Sequence, residues 1–290
     1  MKKRYSSKLL CGALAALGFF ALLPAFLSAP ARADADQNPV VVELFTSQGC
    51  SSCPPADAYL SELASRPDIL ALSMHVDYWN GLGWRDPFSS TEVTERQRAY
   101  ARTLGGRYVY TPQMVINGRV HAVGSDRAKV AGLIAAPRPD RAYAPSLALL
   151  DGRGGELEIA LGKASFVGRA TVWLVGFDNR HATRVESGEN SGRTLAYSNV
   201  VRSIRAVGQW SGRSSVLKVD IGPERAAKYD NVAVIVQAGG TGPIITAARR
   251  GRAVIRKTFF RTRRILSGDA GGVPPRGAML KKYQAPRDRR

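Results

Sequence analysis

Cysteine is scarce in this 290-residue chain: there are three, and Cys11 sits in the N-terminal apolar stretch, leaving Cys50 and Cys53. With no second cysteine pair, a structural zinc site built on four thiolates is excluded. The two thiols can pair only with each other or with a partner's thiol. Histidine is equally sparse, at His75, His121 and His181. After Leu23 no apolar run is long enough to span a bilayer. An excess of positive charge is present overall, +19, but it is not where a nucleic-acid-binding domain would need it. Residues 1–33 hold five Lys/Arg and no acid, and residues 249–290 hold fourteen Lys/Arg and two acids. The intervening 34–248 holds 23 basic and 21 acidic residues, so the folded part is nearly neutral and no nucleic-acid partner is expected.

The N-terminus reads as a secretory signal. Lys2, Lys3, Arg4 and Lys8 precede the apolar run Leu9 to Leu23, and Ala31-Arg32-Ala33 supplies a small-residue cleavage site. Cleavage after Ala33 removes Cys11, which is preceded by Leu9 and Leu10 rather than by lipoprotein-type small residues. The expectation is a periplasmic or secreted protein with no transmembrane span after cleavage, in a space where a disulfide is chemically sensible.

Val40 to Phe45 is a short apolar, β-prone run carrying one acid, Glu43. Thr46 to Gly49 reads as a loop, then Cys50-Ser51-Ser52-Cys53 leads into Pro54 and Pro55 and a helical spacing of Ala56, Tyr59, Leu60 and Leu63. Proline is tolerated there because first-turn amides have no carbonyl partner inside the helix. Two thiols thus stand at a helix start, where the dipole and free amides favour thiolate. Such a pair suits thiol–disulfide exchange, with Cys50 attacking and Cys53 resolving. A structural disulfide competes with that reading, although so small a ring removes little unfolded-chain entropy. Half of a metal site is the other competitor.

Downstream, Ile69 to Val76 is an apolar run suited to a strand buried on both faces. It ends in the aromatic loop Asp77 to Phe88, and Ser89 with Glu92 is spaced as a capping box for a helix that Gly105 can end. Tyr110-Thr111-Pro112 leads into the strand Gln113 to Ile116, and Asn117-Gly118 predicts a tight hairpin. A short helix from Asp126 precedes the joint Pro137-Arg138-Pro139. From Tyr143 the helical period gives way to short alternating runs separated by Gly-rich turns, suggesting an antiparallel β-sandwich. The expected layout is a signal peptide over 1–33, an α/β domain over 34–138, an all-β sandwich over 139–248 and a basic, largely disordered tail over 249–290.

The order β-α-β-α-β-β-α, with Cys-x-x-Cys opening the first helix and Thr-Pro before the third strand, resembles a thioredoxin-fold domain. That resemblance implies a cis peptide at Pro112 and a Thr111 backbone that meets substrate. More narrowly, FTSQGCSSCPPAD, HVDYWNGLGWRDPF and YTPQMVING resemble a family of secreted bacterial proteins known as domain of unknown function twelve twenty-three. The thioredoxin pattern also asks for a buried acid to assist Cys53. Glu43 and Asp77 are the candidates, but Glu43 stands one residue from the matching position, and one residue on a strand reverses the facing side chain.

The expected function is thiol–disulfide exchange with protein thiols or disulfides of the cell envelope, with no cofactor. Trp79, Trp84 and Gln113 are candidate substrate contacts, as are Glu189 and Arg193 in the polar, glycine-rich segment Ser187 to Leu195. The aromatic loop otherwise serves packing. A copper-binding chaperone using Cys50, Cys53 and His121 is an alternative, because soft thiolates suit copper, and His75 reads as a packed core residue. An inert disulfide in an interaction module is another. The basic tail suits adhesion to an anionic surface.

Overall fold

The computed structural model describes residues 38–166 and 168–251. The expected signal peptide, Cys11 and the tail from residue 252 onward lie outside the described residues.

The first half follows the anticipated order: β1 (Val40–Thr46), α1 (Pro54–Ala64), β2 (Ile69–His75), α2 (Thr91–Thr103), β3 (Gln113–Ile116), β4 (Val120–Val123) and α3 (Arg127–Ala135). β1 pairs parallel with β2 and antiparallel with β3, so it is central and buried along its whole length. Its two faces serve different cores. Val40, Val42 and Leu44 pack with Leu60 and Leu63 of α1 and with Val130 and Ile134 of α3. Val41 and Phe45 face the other way, toward Val93 and Tyr100 of α2. Ser90, rather than Ser89, caps α2, its hydroxyl accepting from Val93 N–H, while Ser89 turns to the carbonyl of Asp86. Asn117 and Gly118 form the expected turn at φ 50° and 64°, conformations that suit asparagine and glycine.

After a 3-10 turn at Pro139–Tyr143 come β5 (Leu147–Asp151), β6 (Glu156–Leu161), β7 (Ala170–Arg184), β8 (Thr194–Trp210), β9 (Ser215–Asp220), the short α4 (Gly222–Ala226), β10 (Asn231–Ala238) and β11 (Ile244–Gly251). Among the described residues eight strands form one mixed sheet in the order β11-β10-β7-β8-β2-β1-β3-β4, and β5-β6-β9 form a second. The small sheet does pack face to face on the larger one, through Leu157, Ile159 and Val219 against Val172, Leu174 and Val234. The second half is nevertheless not a separate sandwich, because β8 pairs with β2 at Ser73 and Val200. The edge strand β11 also reaches the first half: Ile244 N–H donates to Asn117 O in the β3–β4 turn at 2.9 Å, and Asn38 N–H, just before β1, to Ala247 O at 3.2 Å. One apolar core therefore draws on both halves, including Phe45, Met74, Val175, Phe177, Ile235 and Ala247. The expected boundary at residue 138 divides neither the sheet nor this core. Likewise β11 runs to Gly251, past the expected start of the tail.

β7 and β8 outrun the sheet. Asn199 sits at φ 50° and donates its amide to Ala71 O at 2.9 Å, marking where β8 parts from β2. From there Asp178 to Arg184 and Thr194 to Val200 continue as a two-stranded arm.

Glu43, expected near the cysteines, belongs to the opposite face of β1. Arg96 of α2 forks onto it, Nε to Oε1 at 2.6 Å and Nη2 to Oε2 at 3.2 Å, and Tyr100 donates its hydroxyl to Oε2 at 2.5 Å. Gln237 of β10 accepts from Arg96 Nη2 at 2.9 Å. The network ties β1, α2 and β10 together and is consumed in doing so. Removing one partner strands a buried charge. Arg96→Met should therefore cost about 3–5 kcal/mol in urea denaturation, with much of the loss recovered in the Glu43→Leu/Arg96→Met double variant.

Candidate functional site

At the end of β1 the chain turns through Ser47 to Gly49 and reaches a Cys50–Cys53 disulfide. Cys53 is the N-cap of α1, and its carbonyl accepts from the amides of Ala56 and Asp57 at 2.9 and 3.1 Å. The Thr111–Pro112 peptide is cis. It adjoins this end of β1, since the next residue, Gln113, pairs with Phe45. Trp79 joins the two segments: its Nε1 donates to Thr111 Oγ1 at 2.9 Å, and its Cβ would lie 3.1 Å from any Cβ placed on Gly49. Trp84 Nε1 donates to Gln48 Oε1 at 2.9 Å. The structure thus brings Cys50, Cys53, Thr111, Pro112, Trp79 and Trp84 to one end of β1.

The arm completes the site. Asn190 donates its side-chain amide to Gln48 O and to Cys50 O, both at 2.9 Å, and Glu189 Oε2 accepts from Ser51 N–H at 3.0 Å. Hydrogen bonds from Ser51 hold the Glu189 carboxyl below its usual range. Arg193 reaches Asn190 Oδ1 at 2.8 Å and so orients that amide. Ser51 and Ser52 remain exposed, but Cys50 and Cys53 are both 0% exposed. The expectation of an accessible leading thiol is corrected: in this oxidised form Cys50 is covered.

Several expected members are elsewhere. Asp77 accepts from Thr94 and Thr91 hydroxyls at 2.6 and 2.8 Å, bonds that hold its carboxyl below the ordinary range against a smaller opposing effect of burial. These bonds join it to the start of α2. Gln113 is buried and accepts from Gln97 Nε2 at 2.9 Å, so its side chain is not open to a substrate. His121 lies opposite Val115 on β4, with Nδ1 2.8 Å from the Tyr110 hydroxyl. Among the described residues no three His, Cys, Asp or Glu side chains are grouped as a metal site.

A buried acid that the helix itself carries is Asp57, one helical turn beyond Cys53 and 4% exposed. Burial pushes its carboxyl up to about 7, with His75 pulling it partly back. The Thr46 hydroxyl faces it outside hydrogen-bonding geometry, so Asp57 Oδ1 and Thr46 Oγ1 are both buried without a partner among the described residues. Behind it His75 Nδ1 meets Asp86 Oδ2 at 2.7 Å and Nε2 meets Ser73 Oγ at 3.1 Å. Burial alone would raise Asp86, but His75 and the amides of Gln48 and Phe88 outweigh it and hold this carboxyl low. Tyr197, on β8, meets His75 edge-to-face with centroids 4.7 Å apart, its hydroxyl buried and without a hydrogen-bond partner among the described residues. Phe88 also meets the imidazole edge-to-face at 5.4 Å, beside Tyr197. His75 is a packed residue, as expected, but a polar one with two partners.

The family model for proteins of unknown function designated DUF1223 matches residues 41–237, a span that takes in every residue of this site. The chain belongs to the DUF1223 family. Among solved structures, this DUF1223 protein is 35% identical to protein AGR_C_4864 from Agrobacterium tumefaciens, with a TM-score of 0.63 over 72% of this chain and 92% of that one. It also matches HBP35 of Porphyromonas gingivalis at 16% identity and a TM-score of 0.50, over 80% of each chain, a likeness of fold alone. No curated protein matches it.

Sequence reasoning passed over Asp57, Asn190, Asp86 and Tyr197 in this DUF1223 chain. For Asp57 a signal existed: an acid four residues after Cys53 and three before Leu60 lies on the apolar face of α1. The others are brought in by chain segments far away in sequence.

A raised carboxyl pKa has a definite linkage sign. The folded protein binds its proton more tightly than the unfolded chain, so stability is greatest below the unfolded value and falls as pH rises toward about 7. Asp57→Asn stays neutral throughout. Its Tm should exceed that of the parent at pH 8, and the gain should shrink at pH 5, as read by circular dichroism melts.

Proposed function

We propose that this protein is a thioredoxin-like, exported thiol–disulfide exchange protein of the cell envelope, acting on polypeptide thiols through Cys50 and Cys53. The observation that carries the reading is Asp57: a buried carboxyl raised to about 7, its Oδ1 without a hydrogen-bond partner among the described residues, one turn beyond Cys53. A disulfide that only braces a loop has no use for such a group, and leaving it there destabilises the fold. Exchange has a use for it.

In the reducing direction an incoming thiolate attacks Cys50 Sγ, and the Cys50–Cys53 bond breaks. Its electron pair departs on Cys53 Sγ, which receives the proton of the Asp57 carboxyl. A second thiolate from the reductant then attacks the mixed disulfide and releases Cys50 as thiolate. Run backward, the Asp57 carboxylate takes the Cys53 proton and the Cys53 thiolate resolves the mixed disulfide on Cys50. The amides at the head of α1 favour negative charge at Cys50 in both directions. Thr111 and Pro112 border the place an extended peptide would occupy, flanked by the rings of Trp79 and Trp84.

One observation favours the competing reading of an inert disulfide, namely that both cysteines are wholly buried. The reduction potential separates the two. Equilibration with glutathione should place the couple above about −300 mV, the bound for structural disulfides. In the parent organism's envelope, Cys53→Ala should accumulate mixed disulfides on Cys50 that dithiothreitol releases. A potential below that bound, with nothing trapped, would leave only a stabilising crosslink.

A further inference from the structure

Both sulfurs stand at the mouth of a helix, where a thiol pair is ordinarily reachable, and yet neither is exposed. The tip of the β7–β8 arm, about 140 residues further along the chain, grips the loop that carries them. Its grip is almost wholly polar. Ser187 donates to Gly83 O at 2.5 Å, Glu189 takes the Ser51 amide, and Asn190 spans the carbonyls of Gln48 and Cys50. Asn190 is itself 0% exposed, and Arg193 fixes which way its amide points. The base of the arm is held differently, by Val185, Leu195, Tyr197 and Val200 packing with Trp84 and Phe88. Two glycines in the left-handed region, Gly188 at φ 78° and Gly192 at φ 80°, bracket Glu189 and Asn190. A tip joined by a few hydrogen bonds to an apolar base can lift without unpacking the core.

We propose, resting on the exchange reading, that residues 186–192 are a displaceable cover over the disulfide, and that Asn190 is the positioning residue that holds small soluble thiols away from Cys50. While the tip is down, a nucleophile has no line to Cys50 Sγ. Lifting it frees the carbonyls of Gln48 and Cys50, two acceptors that a polypeptide partner can meet with its own N–H groups. Glu189 adds a second effect: its carboxylate occupies the Ser51 amide and places negative charge where an attacking thiolate must approach.

The test is the rate at which dithiothreitol reduces Cys50–Cys53 in the full mature chain, followed by alkylation of the released thiols. Asn190→Ala should speed reduction about tenfold, as the loss of two buried hydrogen bonds implies. Glu189→Gln should speed it about two- to fivefold, with the gain shrinking in high salt, as expected of a solvent-exposed charge. Parental rates in both variants, with native near-ultraviolet circular dichroism, would overturn the cover. If Asn190→Ala does not fold, Glu189→Gln decides alone, because its side chain is exposed and its loss leaves the core untouched. A rate that responds while the potential stays below about −300 mV would uphold the cover and defeat the exchange reading, so the two failures are distinct.

Discussion

Side chains alternate along a strand, and in β1 that alternation decides which groups can share the surroundings of the disulfide. Val42 and Leu44 face α1, the helix that begins at Cys53. Glu43 stands between them and must face away, into the core under α2, where its charge is met by Arg96 and Tyr100. A carboxylate on that face cannot serve the cysteines without turning the strand over. A buried carboxyl does stand on the α1 side, at Asp57 of the helix itself. Burial favours the protonated form of Asp57 and pushes its carboxyl up to about 7.

The same geometry explains why the two halves of the chain cannot be separated. The cysteine loop is packed by Trp79 and Trp84 of its own half and by the arm of the other. β8 joins the sheet beside β2, turns away at Asn199, and carries the arm back across the loop. The second half therefore contributes strands to the sheet, apolar residues to the central core and the polar clamp over Cys50. Its small three-stranded sheet covers the outer face of the larger one. Tyr197 and Asn190 belong to the second half by sequence and to the cysteine site by position.

Covering a disulfide and making it reactive are opposed demands. Complete burial lowers the rate of attack whatever the thiol's acidity, and an exposed pair reacts with any thiol that collides with it. A polar clamp reconciles them, because hydrogen bonds between two loops are satisfied when closed and by solvent or a partner when open. Apolar packing confined to the base of the arm keeps the closed form ordered. On the proposed reading, α1 sets the chemistry of the pair and the arm sets access to it.

By itself the sequence determined what depends on near neighbours. The Cys-x-x-Cys pair, the prolines behind it and the spacing of Leu60 and Leu63 specify thiols at a helix start, while Asn117-Gly118 specifies a tight turn. Each follows from backbone preferences and periodicity over a few residues. Tertiary structure alone decided that Glu43 is spent in an ion pair, that the sheet runs through both halves, and that Asn190 closes over Cys50. Those outcomes join residues 53 to 142 positions apart. No period or spacing encodes such a meeting, because it arises only when the faces of different strands are packed against one another.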